Sequence, residues 1–426
     1  MSQSRLIGNL KFLRNKKGFT QAQLAEGIIS VSYLSKIENG IVQPTDEIIG
    51  LLINRLGVNE DEVFNVEDIL SLLTDCHRNL ISGSNKREVE EIIATVHPEE
   101  MNKDFRIHIL YTLILLRTSS DRLNIKKELD FYLEKSAQLM QEPLLKYFFF
   151  LLKGLLFYHE KQYKESYRAY QEASHYLTHN GNEWERADLL YQLGLCSSRN
   201  WKIIESIEYT NQALQIYQTL YFDKRCIECH ILNGINYRKI NKYTNAINSY
   251  KLAKTIAKRV DSDDLLSMID QNLGNLYSQE GQHELALNHY FNSYRLKLND
   301  SCVNNRLLTM LSIVKEYMDL GEEEKAAEFM DQAKEILDNP LHIIEEDHLI
   351  QAKVYELKLA KKVDQLTFYL SERAIPHYLE NKHYDKVISY STLLAHHYHT
   401  NRKYKSASET FQKTIEAYNQ IYQIRG

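Results

Sequence analysis

Proline and glycine are scarce in this chain, at 5 and 15 of 426 residues. So few breaks leave little room for the many tight turns of an all-β fold, and long helices are expected. Cysteine is also sparse. Five is an odd number for a disulfide framework, and free thiols in a reducing compartment are expected. No run of about 18 uncharged apolar residues occurs, the best stretch being Ile107 to Leu116, which is too short to span a membrane. The amino terminus also lacks the basic-then-apolar profile of an export signal, so a cytoplasmic, membrane-free chain is expected. Nor is there an excess of positive charge. With 52 bases against 57 acids, bulk charge cannot hold the molecule on nucleic acid, and any such surface must be local. What the chain does have is 43% apolar residues over a length sufficient for two or three well-filled domains, which excludes disorder.

An internal repeat organises most of it. Gly154, Gly194, Gly234 and Gly274 lie 40 residues apart. Small residues follow at Ser166, Ser206, Ala246, Ala286 and Ala326, then Tyr170, Thr210, Tyr250, Tyr290 and Met330, then Ala173, Ala213, Ala253, Ser293 and Ala333. The unit Leu273-Gly274-x-x-Tyr277, Gly281, Ala286-x-x-x-Tyr290 resembles the tetratricopeptide pattern with lengthened helices. In such a pattern the glycine admits a close helix approach, and the ring three residues on should fill the space between pairs. Weaker units are expected at about 103–140, 345–381 and around Ala395, Tyr398, Ala407 and Phe411. Pro376 should kink its helix. Residues 86–426 are therefore expected to be a right-handed stack of seven or eight helical pairs, the first helices lining an inner groove.

The first 65 residues differ in kind, with short helices and punctuated ends. Gly18 can end a helix from Ser4 to Lys17, Thr20-x-x-Gln23 makes a capping box for a second, and Asn39-Gly40 closes a third that begins near Ser30. A fourth starts after Pro44-Thr45 with Asp46 and Glu47 in its first turn. Val66 to Ile81 reads as a linker helix, broken by Ser82-Gly83-Ser84-Asn85-Lys86. The predicted architecture is all-α, with an amino-terminal five-helix DNA-binding domain (1–65), a linker (66–85) and a helical solenoid (86–426).

Residues 20–40, TQAQLAEGIISVSYLSKIENG, resemble the helix-turn-helix of the phage-repressor-like (XRE) family. Leu24, Ala25, Ile28, Leu34 and Ile37 supply the apolar faces, leaving Val31, Ser32, Ser35 and Lys36 outward, where that family reads bases in the major groove. The resemblance places Gln21 at the start of the second helix, against a backbone phosphate. The turn between Ala25 and Ile37 is a residue shorter than in most of that family. That turn, followed by ISVSYLSKIENG and by long-format repeats, resembles the peptide-pheromone receptors of Gram-positive bacteria, the RNPP family. The resemblance covers nearly the whole chain. It implies a cytosolic quorum-sensing transcription regulator, acting as a homodimer on operator DNA, that binds a short secreted and re-imported peptide in its repeat groove. RNA polymerase is a further candidate partner. Rap-like members imply the alternative: binding a phosphorelay response regulator and promoting its dephosphorylation.

The same resemblance puts an amide two residues before the repeat glycine on the peptide backbone, which here gives Asn272 and Gln192. A side-chain amide both donates and accepts, so it can pair with an extended peptide as a strand would. Asn233, beside Gly234, is the displaced counterpart, Gln271 and Asn275 flank the same helix, and Lys315 and Arg199 could receive a carboxylate. Cys226-Ile227-Glu228-Cys229-His230 spells a haem-attachment string. It falls inside a repeat helix, however, where His230 takes a core slot, so neither haem nor another cofactor is expected. No second ligand pair for zinc stands at suitable spacing, and His377, His383, His396, His397 and His399 read as a solvated face. No phosphate loop or catalytic string of the G-x-S-x-G or H-E-x-x-H kind is present, so an enzyme is not expected.

Overall fold

The computed structural model describes residues 10, 14, 17–38, 42, 44–57, 60–83, 86–94, 104–118, 143–177, 182–298 and 302–422. Among them every regular element is helical. The chain divides into two compact units, Met1–Cys229 and His230–Gly426.

The first unit opens with helices Gln21–Ala25, Val31–Glu38 and Asp46–Leu56 around a small core of Leu10, Leu24, Leu34, Ile37, Leu52 and Leu56. Gly18, the expected end of a first helix, and Gly57, which caps helix Asp46–Leu56, adopt the left-handed conformation at φ +73° and +65°. The expected helix from Ser4 to Lys17 lies outside the described residues apart from Leu10, Arg14 and Lys17. A single helix, Glu60–Ser82, follows, so the expected linker is the longer part of a helix that starts six residues earlier. It stops at Gly83, at φ +82°, and the chain resumes as helix Lys86–Ile93, as the Ser-Gly-Ser-Asn stretch implied.

The linker helix does not stand free of the repeats. Val66, Leu70, Leu73 and Cys76 share one core with Ile107, Leu113, Phe148, Leu152 and Leu193. Its last carbonyls are capped from far along the chain: Arg225 Nη2 donates to the Leu80 carbonyl at 2.9 Å and Arg225 Nε to that of Ile81. Beside this cap His77 is fully buried against Phe148 and Trp184, with no hydrogen bond to either ring nitrogen among the described residues. Burial first, and the nearby Arg117 charge second, push its pKa down to about 3. Arg117 is itself paired with the buried Asp188 at 2.5 Å.

The repeats are seven helical pairs among the described residues, from Pro143–His159 with Tyr163–Tyr176 to Tyr384–Thr400 with Tyr404–Tyr422. Helix Phe105–Thr118 precedes them, and the rest of the weak unit expected at 103–140 lies outside the described residues. The glycines work as the spacing suggests, with one difference. The ring over each glycine comes from the second helix of the pair, not from three residues on. A Cβ on Gly154, Gly234 or Gly274 would lie 2.4 Å from the ring of Tyr170, Tyr250 or Tyr290. At Gly194 the shorter Thr210 takes that place. Ser166 and Ser206 add a hydrogen bond to the carbonyls of Gly154 and Gly194, at 2.7 and 2.6 Å. Tyr277, the ring three residues past its glycine, instead stacks on His289 with centroids 5.3 Å apart.

The turn between the helices of a pair also keeps the period. Lys161, Trp201, Asn241, Gly281, Gly321 and Lys361 all take positive φ between 54° and 77°. Only two of these six are glycine, so four turns carry the left-handed strain on a side chain. Ahead of Pro376 the helix widens into a π turn over Leu370–Ala374, with the Ile375 N–H reaching back to the Leu370 carbonyl. The proline distorts its helix as expected, because it has no N–H to continue the ladder.

Two glycines of one repeat separate two physical roles. Gly274→Ala should cost about 3 kcal/mol or more, since the new methyl must displace a buried ring. Gly281→Ala, where nothing lies within 4 Å of the added carbon, should cost only about 1 kcal/mol of backbone strain. Urea unfolding of the two variants reads the difference. A second expectation concerns acid. Unfolded, His77 takes a proton near its ordinary pKa of about 6.5, whereas folded it resists one down to about 3. Its contribution to stability is therefore complete above pH 6.5 and is lost as pH falls toward 3, at up to ~1.4 kcal/mol per pH unit. His77→Phe keeps a ring and should flatten the fall in urea-measured stability between pH 6.5 and 4.5.

Candidate functional site

The third helix of the amino-terminal bundle, Val31–Glu38, begins at Ser30, whose hydroxyl accepts from the Tyr33 N–H at 3.1 Å. Leu34 and Ile37 bury one face. On the other, Val31 is 44% exposed, Ser32 and Lys36 are exposed and Ser35 is half-buried. The structure thus brings these four side chains to a common outward stripe. Gln21 is placed differently. Thr20 is the cap of helix Gln21–Ala25, with the reciprocal Thr20 and Gln23 bonds of a capping box. Gln21 Nε2 turns inward and donates to Glu38 Oε2 at 2.7 Å. Glu38 in turn holds Arg14 through two hydrogen bonds of 2.6 and 3.1 Å, both groups being buried. This pair ties Arg14 to the end of helix Val31–Glu38. Arg55 performs a similar service for the second helix, donating to the carbonyls of Leu24 and Glu26. Neither Arg14 nor Arg55 stood out in the sequence, since their partners lie 24 to 31 residues away.

The amides and cations read from the repeat pattern part company. In the first unit Gln192 is buried, donating to Asp188 and accepting from the Tyr170 hydroxyl, both at 3.5 Å. Arg199 is exposed, its guanidinium 5.8 Å from the Tyr163 ring centre. In the second unit Asn233 is buried, 4% exposed. Gln271 is buried too and spans two helices, donating to Ser312 Oγ at 3.1 Å and accepting from Thr309 Oγ1 at 2.7 Å. Asn272 and Asn275 are the half-buried pair on that helix's open side. Asn272 donates to its own helix at the Met268 carbonyl, 2.9 Å away, leaving its amide oxygen without a hydrogen-bond partner among the described residues, and Asn275 accepts from the Tyr290 hydroxyl at 2.8 Å.

Lys315 is already engaged. It donates to Ser278 Oγ, Glu316 Oε1 and Asp319 Oδ2 at 3.0, 3.0 and 2.7 Å. Burial works to lower its pKa, but the bonds to these two carboxylates outweigh it and raise it. His283, Glu316 and Asp319 bring three potential metal ligands within 4.8 Å of one another, but the Lys315 ammonium lies among them as the internal counter-ion. Cys226 and Cys229 are buried in helix Asp223–Lys239, and burial, the largest cause, raises the Cys229 thiol far above its ordinary pKa. His377 and His383 both face Asp347, at 2.7 and 3.4 Å.

An outward reading stripe on a helix-turn-helix, joined by one long helix to tetratricopeptide-like pairs, defines the class: a helix-turn-helix regulator carrying a helical repeat domain. Residues 10–63 match the Helix-turn-helix family. Transcriptional activator NprA of Geobacillus stearothermophilus is 31% identical over 404 residues, which is 92% of this chain and 98% of that protein. Regulatory protein RapG of Bacillus subtilis (strain 168) is 22% identical over 364 residues, 82% of this chain and 95% of RapG. The solved structure of NprR in complex with its cognate peptide NprX is similar in fold, with a TM-score of 0.62 at 22% identity, covering 83% of this chain and 99% of that one. The chain belongs to the RNPP family of regulators.

The stripe predicts a separable effect. Lys36→Ala and Ser32→Ala should each weaken specific DNA binding by about 1–3 kcal/mol while leaving non-specific binding nearly intact. Titration of a specific and a scrambled duplex at one salt concentration measures both.

Proposed function

We propose that this protein is a cytoplasmic, peptide-responsive transcription regulator that acts as a homodimer on operator DNA. In this reading residues 1–65 read the DNA, the helix ending at Ser82 links, and the repeats from 86 onward hold a short signalling peptide on the inner face of their first helices. The observation that carries it is the coexistence, in one chain, of the outward Val31, Ser32, Ser35 and Lys36 stripe with the half-buried Asn272 and Asn275 pair. NprA, at 31% identity, is named a transcriptional activator, and NprR has been solved with a cognate peptide, both of which support the reading. Asn272 is the favoured peptide contact, because its oxygen is the group on this face left without an internal donor. Gln271, Gln192 and Asn233 then act by holding the inner helices in place, and Lys315 by neutralising Glu316 and Asp319. No helix among the described residues is long and apolar enough to cross a membrane.

The second reading is action on a phosphorelay protein, which the 22% identity to RapG and to a response regulator aspartate phosphatase (H) of Bacillus subtilis favours. The two separate in one assay series. A regulator binds a duplex from upstream of its own gene specifically and with steep salt dependence, whereas a phosphorelay protein speeds loss of phosphate from a phosphorylated response regulator.

For the peptide, Asn272→Ala should weaken binding by about 1–3 kcal/mol, the loss of a backbone-pairing amide, and leave peptide-free DNA binding unchanged. Calorimetry with the peptide encoded beside the gene, and DNA titration with and without it, measure both. Unaltered peptide affinity removes Asn272 from the site.

A further inference from the structure

The repeats can be compared position by position, and one cation breaks their pattern. In the repeat beginning at Asp263, the Tyr290 hydroxyl that covers Gly274 donates to Asn275, one residue past the glycine. The equivalent ring one repeat earlier, Tyr250 over Gly234, meets Ile235 at that position and has no acceptor there. Its hydroxyl is buried, and Arg238 is the polar group beside it. Burial raises the Tyr250 pKa, and the adjacent Arg238 charge pulls it back to about 12, so the two groups are neighbours.

Arg238 itself is half-buried, and its guanidinium donates from Nη1 to Gln279 Oε1 at 3.0 Å. Nε is buried without a partner, and no carboxylate lies within ion-pair distance among the described residues. The next repeat shows what is missing. There the place of Arg238 is taken by Ser278, and Glu316 stands forty residues beyond Leu276. Glu316 accepts from Ser278 at 2.6 Å and from Lys315 at 3.0 Å. The helix after Ser278 thus offers a carboxylate to this position, and the helix after Arg238 offers a leucine.

We propose that Arg238, flanked by Tyr250 and Gln279, is a subsite for a carboxylate of the bound ligand. The ligand's carboxylate does for Arg238 what Glu316 does for Lys315. A half-buried guanidinium with unspent donors binds a carboxylate in a forked geometry that an amide or hydroxyl cannot match. Asn241 and Gln279, themselves joined at 3.2 Å, form the exposed rim of the subsite. Asn272 and Asn275 lie on the same helix as Gln279, so a peptide paired to Asn272 leads toward Arg238. The proposal rests on the peptide reading and names which chemical group of the peptide this end receives.

The test uses the full-length protein and three synthetic heptapeptide pools randomised over uncharged residues. One has a free terminal carboxylate, one a terminal amide, and the third a terminal amide with a single internal aspartate. Affinity selection with mass spectrometry measures retention. Wild type should hold the free-acid pool or the aspartate pool at least tenfold better than the uncharged amide pool, and which of the two is preferred tells a terminal from a side-chain carboxylate. Arg238→Gln, which keeps a donor to Gln279, should erase that ratio while retaining the amide pool as wild type does, and Arg238→Lys should restore part of it. Matching melting temperatures establish that the variants fold. A ratio near one in wild type, or an unchanged ratio in Arg238→Gln, overturns the carboxylate assignment alone. Retention of no pool by wild type overturns the peptide reading and this subsite with it.

Discussion

The close approach of two helices at a glycine sets the geometry of four successive helical pairs. At Gly154, Gly234 and Gly274 a tyrosine ring from the second helix occupies the space a side chain would fill. Contact this close is short-ranged and unforgiving, because interiors are packed at crystal density and a methyl group cannot be absorbed without moving a ring. It fixes the rotation and the height of the second helix on the first. Where the ring is absent, at Gly194, Thr210 fills the place of the ring and the Ser206 hydrogen bond to the glycine carbonyl, at 2.6 Å, holds the same register. Register is therefore kept by two different chemistries, and the remaining positions of each repeat are free to vary.

That freedom makes the departures informative. With register fixed, residues forty apart occupy equivalent places, and Ile235, Asn275 and Lys315 form one such series. Asn275 spends itself on a tyrosine hydroxyl and Lys315 on two carboxylates, whereas Ile235 can satisfy nothing. A repeat protein with identical units would present an identical inner surface along its length and could not distinguish one end of an extended ligand from the other. Direction comes from the places where the pattern is broken.

Much of this was legible in the sequence, and the physical reason is that steric constraints leave periodic traces. The glycines, the small residues twelve positions on and the helix-turn-helix apolar slots all mark contacts too tight for alternatives. The side chains on the inner faces were harder. Neighbouring positions on a helix differ by about 100° in direction, so Gln271 and Asn272 read alike, yet one is buried between Thr309 and Ser312 and the other half-open. Gln192 and Asn233 fell inside for the same reason. Cations were least legible of all. Arg14, Arg55 and Arg225 take their meaning from carbonyls and carboxylates 24 to 145 residues away, and Arg238 bonds to Gln279, 41 residues away. Sequence shows which residues carry charge, but only the fold shows which charges are already answered.

The linker illustrates how such distant partners couple parts of the chain. Helix Glu60–Ser82 has 23 residues and a length of about 34 Å, and its carboxyl-terminal portion lies in the same core as helices Phe105–Thr118 and Pro143–His159. Arg225, from the first helix of a later repeat, closes its end, and Lys224 packs against Gly83 where the helix stops. The helix is thus anchored at one end by the repeats while its other end adjoins the DNA-reading bundle in sequence. A rigid rod held this way magnifies angle into distance. A tilt of about 10° at the anchored end carries the far end about 6 Å, a displacement comparable to the width of a DNA groove. Beside this anchor His77 is buried with neither ring nitrogen hydrogen-bonded among the described residues. A buried polar group left this way costs stability, and the apolar core shared by the linker and the first repeats offsets that cost.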